Sequence, residues 1–180
     1  MVHEFPTAGP GPSIHASAVK VGERAVLIRG PSGAGKSRLA FDLILAGRAG
    51  QIPPAILVGD DRVHLATRSG EMWVSPAPGL AGLIEIRGLG IRSCDYVSEA
   101  PIGLVVDLMA EDAERLPPPR ALRLLENGIE LPRVPVGAGF APLLLVVAAL
   151  ITTESSCSGN LLVNCVKGIG NHITPTITTE

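Results

Sequence analysis

An α/β domain built on a mixed β-sheet is the fold the sequence predicts, and three observations predict it. Short aliphatic and β-branched runs recur along the chain, while only one long segment, Lys36–Ala46, carries a clear 3.6-residue apolar period. A glycine-rich bend, GPSGAGKS at 30–37, joins the run RAVLI to that segment. Many strands with few helices exclude a regular doubly wound sheet. The 180 residues suit one domain with one core, and 46% apolar residues with only 3% aromatic ones make that core aliphatic.

Residues 1–13, polar and broken by Pro and Gly, read as a flexible leader. Residues 14–30 read as two β segments joined by a turn at Gly22-Glu23, with Val26–Ile28 buried. The helix over Lys36–Ala46 buries Leu39, Ala40, Leu43, Ile44 and Ala46, and Gly47 is its expected stop. Residues 55–62, AILVGDDR, form a buried strand ending in two aspartates. Alternation over 63–74 around a Ser-Gly turn predicts a hairpin, and 75–82 a loop. Residues 83–91, LIEIRGLGI, are strand-like but interrupted by Gly88 and Gly90. Residues 102–109 give another core strand, and Pro117–Pro119 break the chain. Residues 128–136 read as an edge strand, because Pro132 and Pro135 cannot donate to a ladder. A short apolar helix or strand follows to Ile151, closing a domain over 14–151. The Thr/Ser/Asn/Gly-rich tail, 152–180, has no assignable period, and no internal repeat is evident.

A formal net charge of -2 excludes a nucleic-acid or anionic-membrane surface held by bulk electrostatics. Cys94, Cys157 and Cys165 are odd in number and lack metal-ligand spacing, which fits a reduced compartment. The longest apolar run, Pro142–Ile151, is about half of a bilayer span. A soluble cytoplasmic protein is expected.

Gly30, Gly35, Lys36 and Ser37 satisfy G-x-x-x-x-G-K-[ST]. In such a loop, here Gly30, Pro31, Ser32, Gly33, Ala34 and Gly35, backbone N–H groups converge on a β-phosphate and the following helix points its positive end at it. Lys36 would bridge the β- and γ-phosphates, and the Ser37 hydroxyl would ligate Mg²⁺. The chain holds only three lysines, so one falling in this slot by chance is improbable. Asp60 and Asp61 end a strand, and neighbouring side chains on an extended chain alternate in direction. One would ligate Mg²⁺ while the other takes a proton from an incoming hydroxyl; an Asx turn is the bland alternative. His15 is a lone strand histidine, a type ordinarily structural. Glu85 and Arg87, two apart in IEIRG, would share one strand face, as a metal ligand beside a phosphate-pairing cation or as a surface ion pair. Arg115, in ERLPPP, reads as an exposed arginine.

These residues carry a resemblance. IHASAVKVGERAVLIRGPSGAGKS, the later DDR, and LIEIRGLGI resemble, in that order, the catalytic domain of the HPr kinase/phosphorylase family, whose signature is L-x-E-I-R-G-L-G-I. The resemblance covers about residues 14–150, as in short proteobacterial forms that begin near the catalytic core. It implies a P-loop kinase core related to phosphoenolpyruvate carboxykinase, usually hexameric. It also implies an enzyme of the sugar phosphotransferase system that uses ATP or pyrophosphate, with Mg²⁺, to phosphorylate a serine of the phosphocarrier HPr and to reverse that step with inorganic phosphate. Carried over by residue, His15 falls on the active-site histidine, Lys36 on the P-loop lysine and Ser37 on its Mg²⁺ ligand. Asp60-Asp61 match the aspartate pair, with Asp61 as general base and, in reverse, acid. Glu85 matches the second Mg²⁺ ligand, Arg87 lies beside it among the nucleotide-binding residues, and Arg115 falls on the D-R-L arginine.

The family loop P-V-R-P-G-R stands here as Pro135-Val136-Gly137-Ala138-Gly139-Phe140, without either arginine. That loop is associated with phosphorolysis, so a weakened reverse reaction is expected. The tail matches nothing in the family. A kinase for a small metabolite and a non-catalytic nucleotide-sensing module are the competing readings; the Asp60-Asp61 pair and Glu85 speak against the second.

Overall fold

Eleven strands and two α-helices, with a 3₁₀ turn at Pro119–Leu122, lie along residues 12–153, the part of the chain that the computed structural model describes. In chain order these are β1 (Ser13–Ile14), β2 (Ser17–Val21), β3 (Arg24–Arg29), α1 (Lys36–Arg48), β4 (Ala55–Gly59), β5 (Val63–Arg68) and β6 (Glu71–Pro76). There follow β7 (Leu83–Ile86), β8 (Gly90–Ser93), β9 (Ala100–Leu108), β10 (Arg123–Glu126), β11 (Ile129–Val136) and α2 (Pro142–Ile151). Nine strands form one mixed sheet in the order β1-β5-β6-β9-β3-β2-β4, with β11 branching off β9 and β10 pairing with β11. β7 and β8 make a separate hairpin.

The pairing decides where a site can lie. β3 and β11 both run parallel to β9, while β4 is antiparallel to β2, itself antiparallel to β3. The C-terminal ends of β3, β4, β9 and β11 therefore share one end of the sheet, where α/β folds gather their ligand-binding loops. Both faces of β3 are covered. Val26 and Ile28 pack towards Leu39, Leu43 and Ile44 of α1, whereas Ala25 and Leu27 meet Val58, Met72 and Val105. Burial on both sides explains why RAVLI reads as an unbroken apolar run.

Several expectations change in detail. The leader lies outside the described residues except for Pro12 and Ser13, and Ser13 already pairs with His64 of β5. The helix does not stop at Gly47 but runs to Arg48. A left-handed Gly50 (φ 71) ends it, with Gly50 N–H to Gly47 C=O at 3.1 Å and Gln51 N–H to Ala46 C=O at 3.0 Å, a Schellman closure. Gly47 serves packing instead, since a Cβ there would lie 2.7 Å from both the Cβ and the N of Ala55. Gly47→Ala should thus lower stability by about 1 kcal/mol in urea unfolding, overpacking outweighing the gain in helix propensity. A raised midpoint would mean that β4 yields freely.

The interrupted segment 83–91 is the β7–β8 hairpin, and its strand ends at Ile86, so Arg87 sits in the turn and does not share a strand face with Glu85. β11 is not a free edge. Residues 129–132 pair with β10 and 133–136 with β9, one neighbour for each half, which leaves room for Pro132 and Pro135. The apolar run 142–151 is helical, with proline in its first turn. The tail beyond Thr153, with Cys157 and Cys165, lies outside the described residues. Among the described residues no helix is long and apolar enough to cross a membrane.

Candidate active site

The chain leaves β3 at Arg29, bends through 30–35 and enters α1 at Lys36. Gly30 (φ 147) presses on β9: a Cβ there would meet the Leu108 carbonyl oxygen at 2.9 Å, so only glycine lets the loop start this close to the sheet. Gly33 (φ 79) and Gly35 (φ 94) differ, because added Cβ atoms would meet nothing within 4 Å. Their open side lies at the N-terminus of the thirteen-residue α1, where backbone N–H groups and the helix dipole favour an anion, and this loop is the candidate phosphate cradle. Pro31 and Ser32 are exposed, Ala34 and Ser37 half-buried.

Lys36 is only 5% exposed, and its Nζ donates to the carbonyls of Gly30 and Pro31, both at 2.9 Å. Burial pushes its pKa down, while the charges of Asp60 and Asp61 pull it back up. The loop and the aspartate pair therefore share one electrostatic neighbourhood. An anion bound in the cradle would take over the ammonium from the loop's own carbonyls.

The two aspartates diverge sharply. Asp60 is 2% exposed; its Oδ1 accepts from Ser17 Oγ at 2.5 Å and its Oδ2 from the backbone N–H of Glu85 at 3.0 Å. The Asp61 side chain is 66% exposed and lies 3.5 Å from His15 Nε2. Simple strand alternation is not the cause. The chain turns back at Asp61, which has φ 64, and Arg62 N–H closes the turn on the Asp60 carbonyl at 2.7 Å. A non-glycine residue held left-handed at a strand terminus is the kind of backbone strain that gathers at functional sites. His15 reaches this turn because β1 pairs with β5, which starts two residues after Asp61.

Glu85 is exposed on β7, with its backbone anchored to Asp60. Arg87 is exposed in the hairpin turn. Arg115 is exposed in the loop after β9, at the same end of the sheet. That loop packs on Gly137, where a Cβ would lie 3.1 Å from the Ala113 Cβ. The neighbouring stretch 137–140 carries no cation. Among the described residues, no three His, Cys, Asp or Glu side chains are grouped to hold a metal by themselves. Mg²⁺ fits such a sparse set, since it is commonly bound by one or two protein ligands with phosphate oxygens and water completing the shell. Ser37 and Glu85 would supply the protein's share.

Sequence reasoning passed over Ser17 and a second cluster. Ser17, fully buried, is the one hydroxyl in an otherwise apolar stretch of β2 apart from Lys20, and that contrast was the available signal. On the opposite face of the sheet from α1, Asp107 of β9 accepts from Arg29 Nε at 2.7 Å and Arg133 Nε at 2.5 Å. Arg133 continues to Asp112 through Nη1 at 2.6 Å and Nη2 at 3.0 Å. The cluster ties together β3, β9, β11 and the loop that carries Arg115.

A family model described as the HPr Serine kinase C-terminal domain matches residues 9–160. The HPr kinase/phosphorylase of Mycoplasma mycoides is 34% identical over 139 residues, 69% of this chain and 42% of that protein. The protein of the same name from Streptococcus thermophilus is 42% identical over 80 residues, 44% of this chain and 24% of that one. The chain thus spans less than half the length of either relative. Among solved structures, the Hpr(Ser) kinase/phosphatase from Coxiella burnetii superposes with a TM-score of 0.61 at 25% identity, over 77% of this chain and 94% of that one. With the mixed sheet, the glycine cradle before α1 and the divergent aspartates already in view, a match over residues 9–160 places this chain in the HPr Serine kinase C-terminal domain family.

Proposed function

We propose that this domain transfers the γ-phosphoryl group of ATP to a serine hydroxyl of an HPr-like phosphocarrier protein. The observation that carries the reading is the buried Lys36 at the end of a glycine-rich loop, with a strand end in the same fold that buries Asp60 and exposes Asp61 beside His15. The loop amides of 30–35 and the N-terminus of α1 hold the β- and γ-phosphates, and Lys36 follows the charge that develops between them. Ser37 and Glu85 would hold Mg²⁺, which would supply neutralising charge for the triphosphate. Asp61 takes the serine proton, and His15 orients the Asp61 carboxylate. Arg87 and Arg115 are assigned to the charge of the transferred group. Pyrophosphate, which presents the same two phosphates to the loop, is a second donor. A homo-oligomer, hexameric in the resembled family, belongs to the same reading and is supported by Leu144 and Ile151 standing exposed on the wholly apolar α2.

Incubation with labelled ATP, Mg²⁺ and the host's HPr tests this directly. Label is expected on wild-type HPr and not on HPr whose target serine is replaced by alanine. Label on neither protein, with ATP still bound, would favour a small-metabolite kinase or a sensing module. The reverse reaction is expected to be feeble. Each missing charged hydrogen bond at 137 and 140 is worth about 10- to 100-fold, so phosphorolysis of phosphoserine-HPr by inorganic phosphate should run about 10²- to 10⁴-fold below that of an enzyme with both loop arginines. Gly137→Arg with Phe140→Arg should raise phosphorolysis without raising the forward rate, and brisk phosphorolysis by the unaltered protein would overturn the argument.

A further inference from the structure

We infer that Ser17 and Asp60 are a positioning pair that holds the Glu85 segment of the β7–β8 hairpin at the end of β4. The inference rests on the proposed role of Glu85 as a Mg²⁺ ligand and adds two residues whose work is done through it. Three strands that are not neighbours in sequence meet at one carboxylate. Ser17 opens β2, Asp60 follows β4, and Glu85 lies in β7, whose hairpin is not part of the main sheet. β7 and β8 ladder only with each other, and the Glu85 N–H to Asp60 Oδ2 bond at 3.0 Å ties the hairpin to the end of β4.

Burial argues for the same division of labour. A carboxylate at 2% exposure demands donors for its oxygens, and here each oxygen has one, Ser17 Oγ on Oδ1 and Glu85 N on Oδ2. With one protein donor on each oxygen, the buried carboxylate is satisfied by Ser17 and the Glu85 amide alone. Asp61, next in sequence, is exposed and free of that duty. The side chain of Glu85 points the other way from Ile84, which is buried at 2%, so anchoring the Glu85 amide also fixes which side of β7 offers its carboxylate.

Two variants separate this inference from the catalytic reading. Ser17→Ala strips Oδ1 of its donor. Asp60→Asn presents one acceptor where two donors converge. In both, hydrogen exchange at the Glu85 amide should quicken by about 10- to 100-fold. Mn²⁺ affinity, read by electron paramagnetic resonance in the presence of ADP, should weaken about tenfold, while ADP binding without metal stays near the wild-type level. Asp61→Asn should leave Glu85 amide exchange unchanged. Thermal melts confirm that each variant is folded at the temperature used. Unaltered Glu85 exchange in folded Ser17→Ala and Asp60→Asn would overturn the inference. If the wild type binds no Mn²⁺–ADP, the metal reading fails instead, and the exchange experiment still reports on the link.

Discussion

Asp61→Asn is expected to slow phosphoryl transfer to the HPr serine by about 10²- to 10⁴-fold, the range associated with losing a general base. The substitution is clean on structural grounds. Asparagine tolerates the left-handed backbone at φ 64 as well as aspartate does, so the turn closed by Arg62 on Asp60 survives. The side chain is exposed, so no buried donor loses its partner. What disappears is the oxygen that can accept a proton 3.5 Å from His15. Nucleotide affinity should therefore stay within about twofold, because the amides of the loop and Lys36 are untouched. Initial rates with labelled ATP, paired with a fluorescent-nucleotide titration, check both halves. His15→Ala should be milder, since the base remains and only its orientation is lost. A near-wild-type Asp61→Asn beside a crippled His15→Ala would transfer the base to the histidine.

Why the sequence disclosed some of this and not the rest follows from the range of the interactions involved. The loop at 30–37 is local: glycine spacing, a buried strand before it and a periodic helix after it all lie within about thirty residues, so each can be read in line. The two aspartates were legible as a pair because they end an apolar run. Their opposed directions were anticipated, but from alternation, whereas the cause is a turn that depends on Asp61 adopting a positive φ. Gly47 misled because a glycine near a helix end fits a stop signal, and only the closeness of Ala55 reveals its packing role. β10 was missed because RLLE is too short to show a period, and its identity comes from pairing with β11. Ser17 and the Asp107 cluster join residues 43, 78 and 26 positions apart, and no periodicity records such partners. Arg29 and Asp107 face each other only because β3 and β9 pair in parallel with the register that holds from Val26 to Arg29, after a shift at Ala25.

That cluster carries the largest expected effect on stability. Asp107→Ala should destabilise the fold by about 3 kcal/mol in urea unfolding, the low end for breaking a buried ion pair, because Arg29 keeps part of its side chain in water. The loss arises less from missing attraction than from the Nε groups of Arg29 and Arg133 left without their shared acceptor, while Arg29 keeps Glu126 at 3.3 Å and Arg133 keeps Asp112. Arg133→Met on top of Asp107→Ala should recover part of it, which a double-mutant cycle would read as coupling; strict additivity would show that the cluster holds nothing together. Acid provides an independent check. Burial alone would raise the Asp107 carboxyl, but hydrogen bonds and charge from Arg29 and Arg133 outweigh it and hold the pKa below the ordinary carboxylate value. A depressed carboxyl stabilises the folded state above the unfolded pKa, near 3.8, and that stability drains as pH falls through the folded value. The wild type should lose stability more steeply than Asp107→Ala below about pH 4, so that the two unfolding curves converge in acid. Arg29 immediately precedes Gly30, whose contact with Leu108 seats the phosphate loop on β9. The register that Asp107 locks is therefore the same one that holds the cradle in place, and nucleotide affinity should fall with stability in Asp107→Ala but not in Gly47→Ala.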